Sequence, residues 1–140
     1  MSLRDDFRTY LLTQAAITTL VSQRIFSGHI PQREDYPAIT INEITGGYAH
    51  DLSGGSGFAE PIIQVDAWAK TNASCEAIAE ALRGELQGYR GTMGSTTSVR
   101  AVVLQNEIDL SETPTDASDT WTFRRTQDYY VNYACSIPSF

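Results

Sequence analysis

Residue types that commonly carry out chemistry are sparse in this chain of 140 residues. It contains two histidines, and His50 is followed directly by Asp51, a candidate pair of base and carboxylate. Covalent catalysis needs a nucleophile, a base and a group that orients the base within hydrogen-bond distance. No serine or cysteine motif lies beside this pair, and adjacent residues seldom orient each other. We therefore expect His50 to be a solvated loop histidine and predict no catalytic residue.

Motifs for metal or phosphate binding are missing or incomplete in the sequence. There is no paired-cysteine motif, no His-Glu-x-x-His and no EF-hand loop, so we predict neither a metal nor a cofactor. The segment Gly54-Gly55-Ser56-Gly57 is rich in glycine. It lacks the Gly-Lys-Ser/Thr ending of a P-loop and precedes a predicted strand instead of a helix. We interpret it as a flexible connector.

The two cysteines, Cys75 and Cys135, are too few for a disulfide scaffold. Both fall on apolar faces of predicted elements, which predicts buried free thiols in a reducing compartment. The sequence shows no basic start followed by an apolar run, and no apolar run approaches the roughly 18 residues of a membrane span. These features predict a soluble protein that is made in the cytosol and has no membrane partner.

The charge of the chain bears on its partners. The formal net charge is -7, and Lys70 is the only lysine among ten basic residues. An acidic chain without a basic block is poorly suited to gripping phosphates, so specific nucleic-acid binding is disfavoured. Arg124 and Arg125 are adjacent, but on a strand their side chains face opposite ways and cannot form one patch. Pairing with a neighbouring subunit and ordinary solvation remain open for them.

Two stretches have the apolar spacing of amphipathic helices. The first covers residues 3–21, and Thr13-Gln14 leaves open whether it is one helix or two. The second carries a stripe from Cys75 to Tyr89. Asn72 is its expected N-cap, and Gly88 lies where a C-terminal glycine is favoured.

Four stretches read as strands because of alternation or β-branched residues. They are residues 38–44, 61–70, 99–108 and 121–137, and the glycine-rich residues 46–58 are expected to form a loop between the first two. The order helix-strand-strand-helix-strand-strand predicts a single α+β domain over 1–140. We expect a mainly antiparallel four-stranded sheet with two amphipathic helices packed on one face. The other face is half-apolar, which favours partial cover by another subunit.

The order of these segments resembles the tail-terminator, or tail-completion, proteins of long-tailed bacteriophages. The resemblance spans nearly the whole chain, its motifs are structural, and residues 46–57 depart from it by being more elaborate than a simple connection. Four segments carry the resemblance. The first two are residues 11–21 followed by Arg24-Ile25-Phe26, and Tyr36-Pro37-Ala38-Ile39-Thr40-Ile41. The other two are Ile63-Gln64-Val65-Asp66-Ala67-Trp68-Ala69, which precedes a predicted helix, and Arg124-Arg125, which precedes Asp128-Tyr129-Tyr130-Val131.

The resemblance implies a structural virion protein at the tail–neck junction, and not an enzyme. Such proteins form a ring, usually hexameric, on the head-proximal end of the tail tube, where they stop tube growth. The partners it implies are further copies of the chain, the tail tube protein and the head–tail connector proteins. DNA would pass through the bore without specific binding.

A ring needs one surface of the subunit to meet a different surface of the next. On this basis we expect two groups of residues to matter, the first at the subunit interface and the second in loops that face the bore or dock the tube. Acidic groups in the second would let DNA slide without sticking. The first group is Trp68, Arg124, Arg125, Tyr130 and Asn132; the second is Gly47, Tyr48, Asp51, Gly55, Phe58, Glu112, Asp116 and Asp119.

Three other interpretations stay open at the level of the sequence. The chain could be a head-closure or adaptor protein of the phage neck, which shares ring symmetry and small α+β subunits. It could be a small cytosolic hydrolase built around His50 and Asp51. It could also be a soluble interaction module that uses an exposed sheet face.

Overall fold

The computed structural model describes residues 3–30, 36–45, 48–51, 54–93, 97–110 and 122–134. Within these residues the chain forms three helices and eight strands. They are α1 (Leu3–Leu12), α2 (Ala15–Val21), β1 (Ile25–Ser27), β2 (Ala38–Thr45), β3 (Tyr48–Asp51), β4 (Gly54–Ala59), β5 (Ile62–Ala69), α3 (Asn72–Leu86), β6 (Gly91–Met93), β7 (Thr97–Asp109) and β8 (Phe123–Ala134).

The N-terminal helical region divides into two helices at Thr13-Gln14. The backbone N–H of Thr13 donates to the carbonyl of Tyr10 at 3.0 Å, which tightens the last turn of α1. Gln14 then adopts an extended conformation at the N-terminal boundary of α2. The break turns the chain so that Phe7 and Ile17 are both completely buried in the same core.

The third helix is capped one residue earlier than the sequence predicted. Thr71, and not Asn72, is the N-cap: its hydroxyl oxygen accepts a hydrogen bond from the backbone N–H of Ser74 at 3.2 Å. Asn72 lies inside the first turn, where its amide reaches Glu76. The expected glycine at the other end is confirmed, because Gly88 has φ +79 and donates its N–H to the carbonyl of Val102 on β7.

The strands form one sheet in which β1 is parallel to β2 and every other described pair is antiparallel. The four predicted strands correspond to β2, β5, β7 and β8, and they lie side by side in the order β2-β5-β8-β7. The predicted strand count was too low within the described residues. It did not count β1, although the sequence predicts residues 24–26 as a short extended piece, and it missed β6 and the two strands β3 and β4.

Residues 46–58 were expected to form a loop, and this expectation was wrong. Asp51 pairs with Gly54 and Tyr48 pairs with Ala59, so β3 and β4 extend the hairpin formed by β2 and β5. Only the base of this extension reaches the rest of the sheet, where Phe58 pairs with Ala134. The glycine-rich sequence Gly54-Gly55-Ser56-Gly57 therefore lies in a strand, which glycine's low strand propensity did not predict.

The hydrophobic core lies between the sheet and the three helices. Register places Ile41, Val65 and Tyr129 on the same face of the sheet, and all three are fully buried with the apolar stripes of the helices. Helices packed on one face of a mainly antiparallel sheet confirm the predicted α+β class. Cys75 lies in this core as a free thiol, as predicted, and burial raises its pKa to about 11.

Polar groups on the same face attach α3 to the sheet. The amide of Gln127 donates to the carbonyl of Ala79 at 2.9 Å, and its oxygen accepts from the Tyr129 hydroxyl at 2.6 Å. Both side chains are buried, and burial raises the pKa of Tyr129 above its ordinary range. The buried polar atoms are thus satisfied within the chain, which fixes the position of α3.

Candidate interaction surface

The face of the sheet opposite the helices is the candidate functional site, and we call it the helix-free face. Strand register defines it, because residues directly opposite each other share a face. Thr40 lies opposite Asp66, Asp66 opposite Thr126, and Thr126 opposite Ile108. By the same rule, the face includes Trp68, Val103, Asn106, Arg124, Asp128, Tyr130 and Asn132.

Exposed apolar side chains concentrate on this face. Val103 is 43%, Ile108 40% and Leu110 40% exposed. The N–H of Leu110 donates to the carbonyl of Arg124, which continues the β7–β8 pairing and keeps Leu110 on the face. Ile44, at the irregularity near the end of β2, completes the set of exposed large apolar residues in the described part of the chain. Such clustering marks a surface that contacts another protein.

The centre of the helix-free face is polar and buried. Asp66 is completely buried although no helix covers it. Its Oδ2 receives the Arg124 guanidinium at 3.1 Å and lies 3.4 Å from the Thr40 hydroxyl. The Trp68 indole N–H donates to that hydroxyl at 3.0 Å, and the Arg124 guanidinium stacks 4.7 Å from the Trp68 ring. This arrangement surrounds the Asp66 carboxyl group with a hydroxyl, an aromatic and a cationic side chain.

Several buried polar atoms on the face have no hydrogen-bond partner in the chain. Leaving such an atom unsatisfied costs about 1–3 kcal/mol, so each calls for a partner. Six atoms of this kind occur among the described residues, and the one outside the face is Ser27 Oγ. The five on the face are Asp66 Oδ1, Arg124 Nε, Thr126 Oγ1, Asp128 Oδ1 and Asn132 Oδ1.

Asp128 is a residue of the helix-free face whose carboxyl group has a raised pKa. Burial raises its pKa above the ordinary value, and the neighbouring carboxylate of Asp66 raises it further. A side-chain hydrogen bond from Asn106 acts in the opposite direction but does not cancel the rise. The folded subunit therefore holds Asp128 in surroundings that disfavour its negative charge.

The raised pKa of Asp128 predicts how the stability of the subunit depends on pH. Because the folded pKa of Asp128 lies above its ordinary value of 3.8, ionisation destabilises the folded subunit at neutral pH. Asp128→Asn should therefore unfold at a higher denaturant concentration than the unchanged protein at pH 7. The difference should shrink towards zero as the pH falls below 3.8, where both states carry a protonated Asp128. Urea unfolding curves of the monomer across this range would show it, and a constant difference would contradict it.

Four residues predicted for the subunit interface share the helix-free face: Trp68, Arg124, Tyr130 and Asn132. Arg125 lies on the opposite face, as the alternation of a strand requires, beneath α3. It forms ion pairs at 3.4 Å with Glu107 and with Glu76, and Arg83 reaches Glu107 at 2.6 Å. These contacts link α3 to β7 and β8 within one chain.

Sequence reasoning missed several members of the face. Asp66 and Thr126 were not selected, and neither were the exposed apolar residues of β7. Alternation along β8 placed Thr126 and Asp128 beside Arg124, so the face itself could be read from the sequence. Which β7 residues join it could not, because the register shifts between Val99 and Ala101 and again between Leu104 and Asn106.

The residues predicted to face the bore or dock the tube fall in two places. Tyr48, Asp51, Gly55 and Phe58 lie in β3 and β4 instead of a loop, and their side chains are outside the described part. His50 also lies in β3 and not in a loop. Gly47, Glu112, Asp116 and Asp119 lie outside the described residues altogether, as does Cys135, so their roles stay predictions.

The described residues contain no group of three His, Cys, Asp or Glu side chains placed to hold a metal ion. None of the described helices is long and apolar enough to cross a membrane.

The helices and the core lie on one face of the sheet, and the other face carries exposed apolar side chains beside a buried polar centre, as protein–protein contact surfaces often do. The family described as Tail completion protein gp17 matches residues 6–131. The chain therefore belongs to the tail completion family, and it is a structural protein of the virion tail.

A solved structure supports the fold over nearly its full length. The chain is similar to a component of the virion of a native gene transfer agent particle, with a TM-score of 0.69 and 16% sequence identity. The match covers 95% of each chain. At this identity the likeness concerns the fold alone. No curated protein matches the sequence.

Proposed function

We propose that the chain assembles into a hexameric ring that ends the tail tube and joins it to the head connector. Membership of the tail completion family is the observation that carries this proposal. The role is structural and needs no cofactor. The partners are further copies of the chain, the tail tube protein and the connector proteins.

The helix-free face supports assembly of this kind. A ring requires a heterologous contact, in which one face of a subunit meets a different surface of the next. The exposed apolar residues Val103, Ile108 and Leu110 lie along β7 and its continuation, beside a centre that contains Arg124 and Trp68. Aromatic and arginine side chains are enriched in interface hot spots.

At the β1 edge of the sheet, a side chain of the same chain already occupies a main-chain acceptor. The Arg8 side chain on α1 donates from Nε to the carbonyl of Ile25 on β1 at 2.6 Å. A strand added at this edge would lose that acceptor, so strand addition at β1 is less favourable than at a fully open edge.

The acidic character of the chain fits passage of DNA through the ring. With a net charge of -7, a bore lined by acidic groups would repel the phosphate backbone and keep DNA from sticking. Asp51, Glu112, Asp116 and Asp119 are the groups proposed for this lining.

Electron microscopy of virions made without the protein tests this function. Tails of uncontrolled length would support a terminator, since nothing would stop growth of the tube. Tails of normal length together with heads that lose DNA would instead indicate a neck adaptor and overturn the proposal. Supplying the unchanged gene in trans is the control, and it should restore the normal tail length.

A further inference from the structure

The large apolar residues that are exposed in the described part of the chain lie at two opposite edges of the sheet. Val103, Ile108 and Leu110 follow β7 and its continuation, and Ile44 lies near the end of β2. The strand order β2-β5-β8-β7 separates the two edges by three strand spacings, about 14 Å. Side chains on one edge therefore cannot cover those on the other within one subunit.

Ile44 is the most exposed residue of this set, at 50%. It lies between Glu43 and Thr45, where the register of β2 with β5 shifts and β2 has one extra residue. Such a bulge leaves one residue without a partner across the strands and redirects its side chain. β1 pairs with residues 39–41 only, so β2 is the outermost described strand at this level. Ile44 therefore lies at the edge of the sheet.

Val103 lies at the same level on the opposite edge. Thr45, which follows Ile44, is opposite Ile62 on β5. Ile62 is opposite Tyr130 on β8, and Tyr130 is opposite Val103 on β7. Val103 is 43% exposed. One row of residues thus crosses four strands and has an exposed apolar side chain at each end.

Contacts within the chain already occupy backbone groups at both edges near this row. On β7, the carbonyl of Val102 accepts the N–H of Gly88, and the N–H of Leu104 donates to the side-chain oxygen of Gln87. On β2, the carbonyl of Ile41 accepts an N–H from the turn after β1. Strand addition would have to displace these contacts, so a neighbouring copy is better placed to make contact through the exposed side chains.

We propose that Ile44 of one copy packs against Val103 of the next copy. The inference rests on the proposed ring. A ring needs two different surfaces that fit each other, and this row supplies both from one chain. Rotational symmetry keeps equivalent residues at one height along the ring axis, so a row that runs around the ring meets its neighbour end to end. Burial of the two side chains stabilises the contact through the hydrophobic effect.

Sedimentation velocity of the purified full chain tests the contact. Ile44→Ala and Val103→Ala should each weaken association about tenfold. The double variant should lose less than the product of the two single losses, because both changes remove the same contact. Leu110→Ala is the matched control, since Leu110 is an exposed apolar residue about 20 Å further along the strand. Its loss and that of Ile44→Ala should multiply when the two changes are combined.

Disulfide trapping tests the geometry independently. A mixture of Ile44→Cys and Val103→Cys should form a linked dimer on mild oxidation, since two cysteines can bond only when their Cα atoms lie within about 7 Å. The chain that carries both changes should form linked species up to the full ring. Ala77→Cys, exposed on α3, is the control and should not link to Ile44→Cys. Peptide mapping distinguishes these bonds from any that involve the native Cys75 or Cys135.

The outcomes separate this inference from the proposed ring. A protein that associates but shows multiplicative losses for Ile44→Ala and Val103→Ala, or no bond between positions 44 and 103, would overturn the contact although the ring stands. Linked dimers from either single cysteine variant alone would indicate two-fold pairing and contradict the contact. An unchanged protein that stays monomeric would contradict the ring itself. Both truncated residues are exposed, so the variant monomers should melt close to the unchanged protein.

Discussion

Ile108→Glu should prevent assembly while leaving the subunit folded. Ile108 is 40% exposed and lies opposite Thr126 on the helix-free face, beside the polar centre that contains Asp66 and Asp128. A carboxylate at this position would have to be desolvated in the interface, beside the carboxylates already present there. We expect association to weaken by about 30-fold or more, the scale of an interface hot spot. Sedimentation velocity measures this directly.

Ala77→Glu is the matched control for that change. Ala77 is exposed on α3, on the side of the subunit opposite the helix-free face, and the substitution introduces the same charge. Thermal unfolding of both variants as monomers should stay close to that of the unchanged protein, because neither residue belongs to the core. If Ile108→Glu assembles as well as Ala77→Glu, the helix-free face is not the assembly surface.

Phe7→Ala should have the opposite effect, because it should destabilise the folded subunit. Phe7 on α1 is completely buried in the core between the helices and the sheet. Removing the ring leaves a cavity and loses apolar burial, which typically costs about 3–5 kcal/mol. That is a large share of the roughly 5–15 kcal/mol that holds a domain of this kind together. We expect a much lower urea midpoint, measured by circular dichroism.

Val103→Ala on the helix-free face is the comparison for Phe7→Ala. Val103 is 43% exposed in the subunit, so its truncation should change the free energy of unfolding by only about 0.5 kcal/mol. The two faces of the sheet would then separate by experiment into one that stabilises the fold and one that contacts a partner. Equal losses of stability would show that the helix-free face is part of the core.

Periodicity predicted the parts of the fold that rest on local sequence. Alternation along β5 placed Ile63 and Val65 on the core face and Trp68 on the other, and the structure confirms both positions. The apolar stripe from Cys75 to Leu86 gave the core face of α3. These patterns are strong because each repeats over several residues with one consistent period.

The missed elements lacked such a pattern. β1 and β6 are three residues long, too short for alternation to be recognised. β4 contains glycine in place of the branched residues that mark strands, and it is held by pairing with β3 and by the attachment of Phe58 to β8. Pairing across the sheet is tertiary information, and it overrides weak local propensity.

The helix-free face was also predicted only in part, because its composition depends on how the strands pair. The opposite orientations of Arg124 and Arg125 follow from strand geometry alone, and the structure confirms them. The ion pair between Arg125 and Glu107 depends on how β7 aligns with β8, and that register shifts twice. Asp66 was placed on the polar side of β5, but its burial comes from Arg124, Thr40 and Trp68, which only the folded sheet brings together.

We propose that the helix-free face joins identical subunits at the end of the tail tube. Cryo-electron microscopy of tails carrying the protein tests it most directly. We expect a closed ring at the head-proximal end, with Trp68, Val103 and Ile108 of each copy buried against the next copy. A ring in which those three side chains face solvent, or a protein bound elsewhere on the particle, would contradict it.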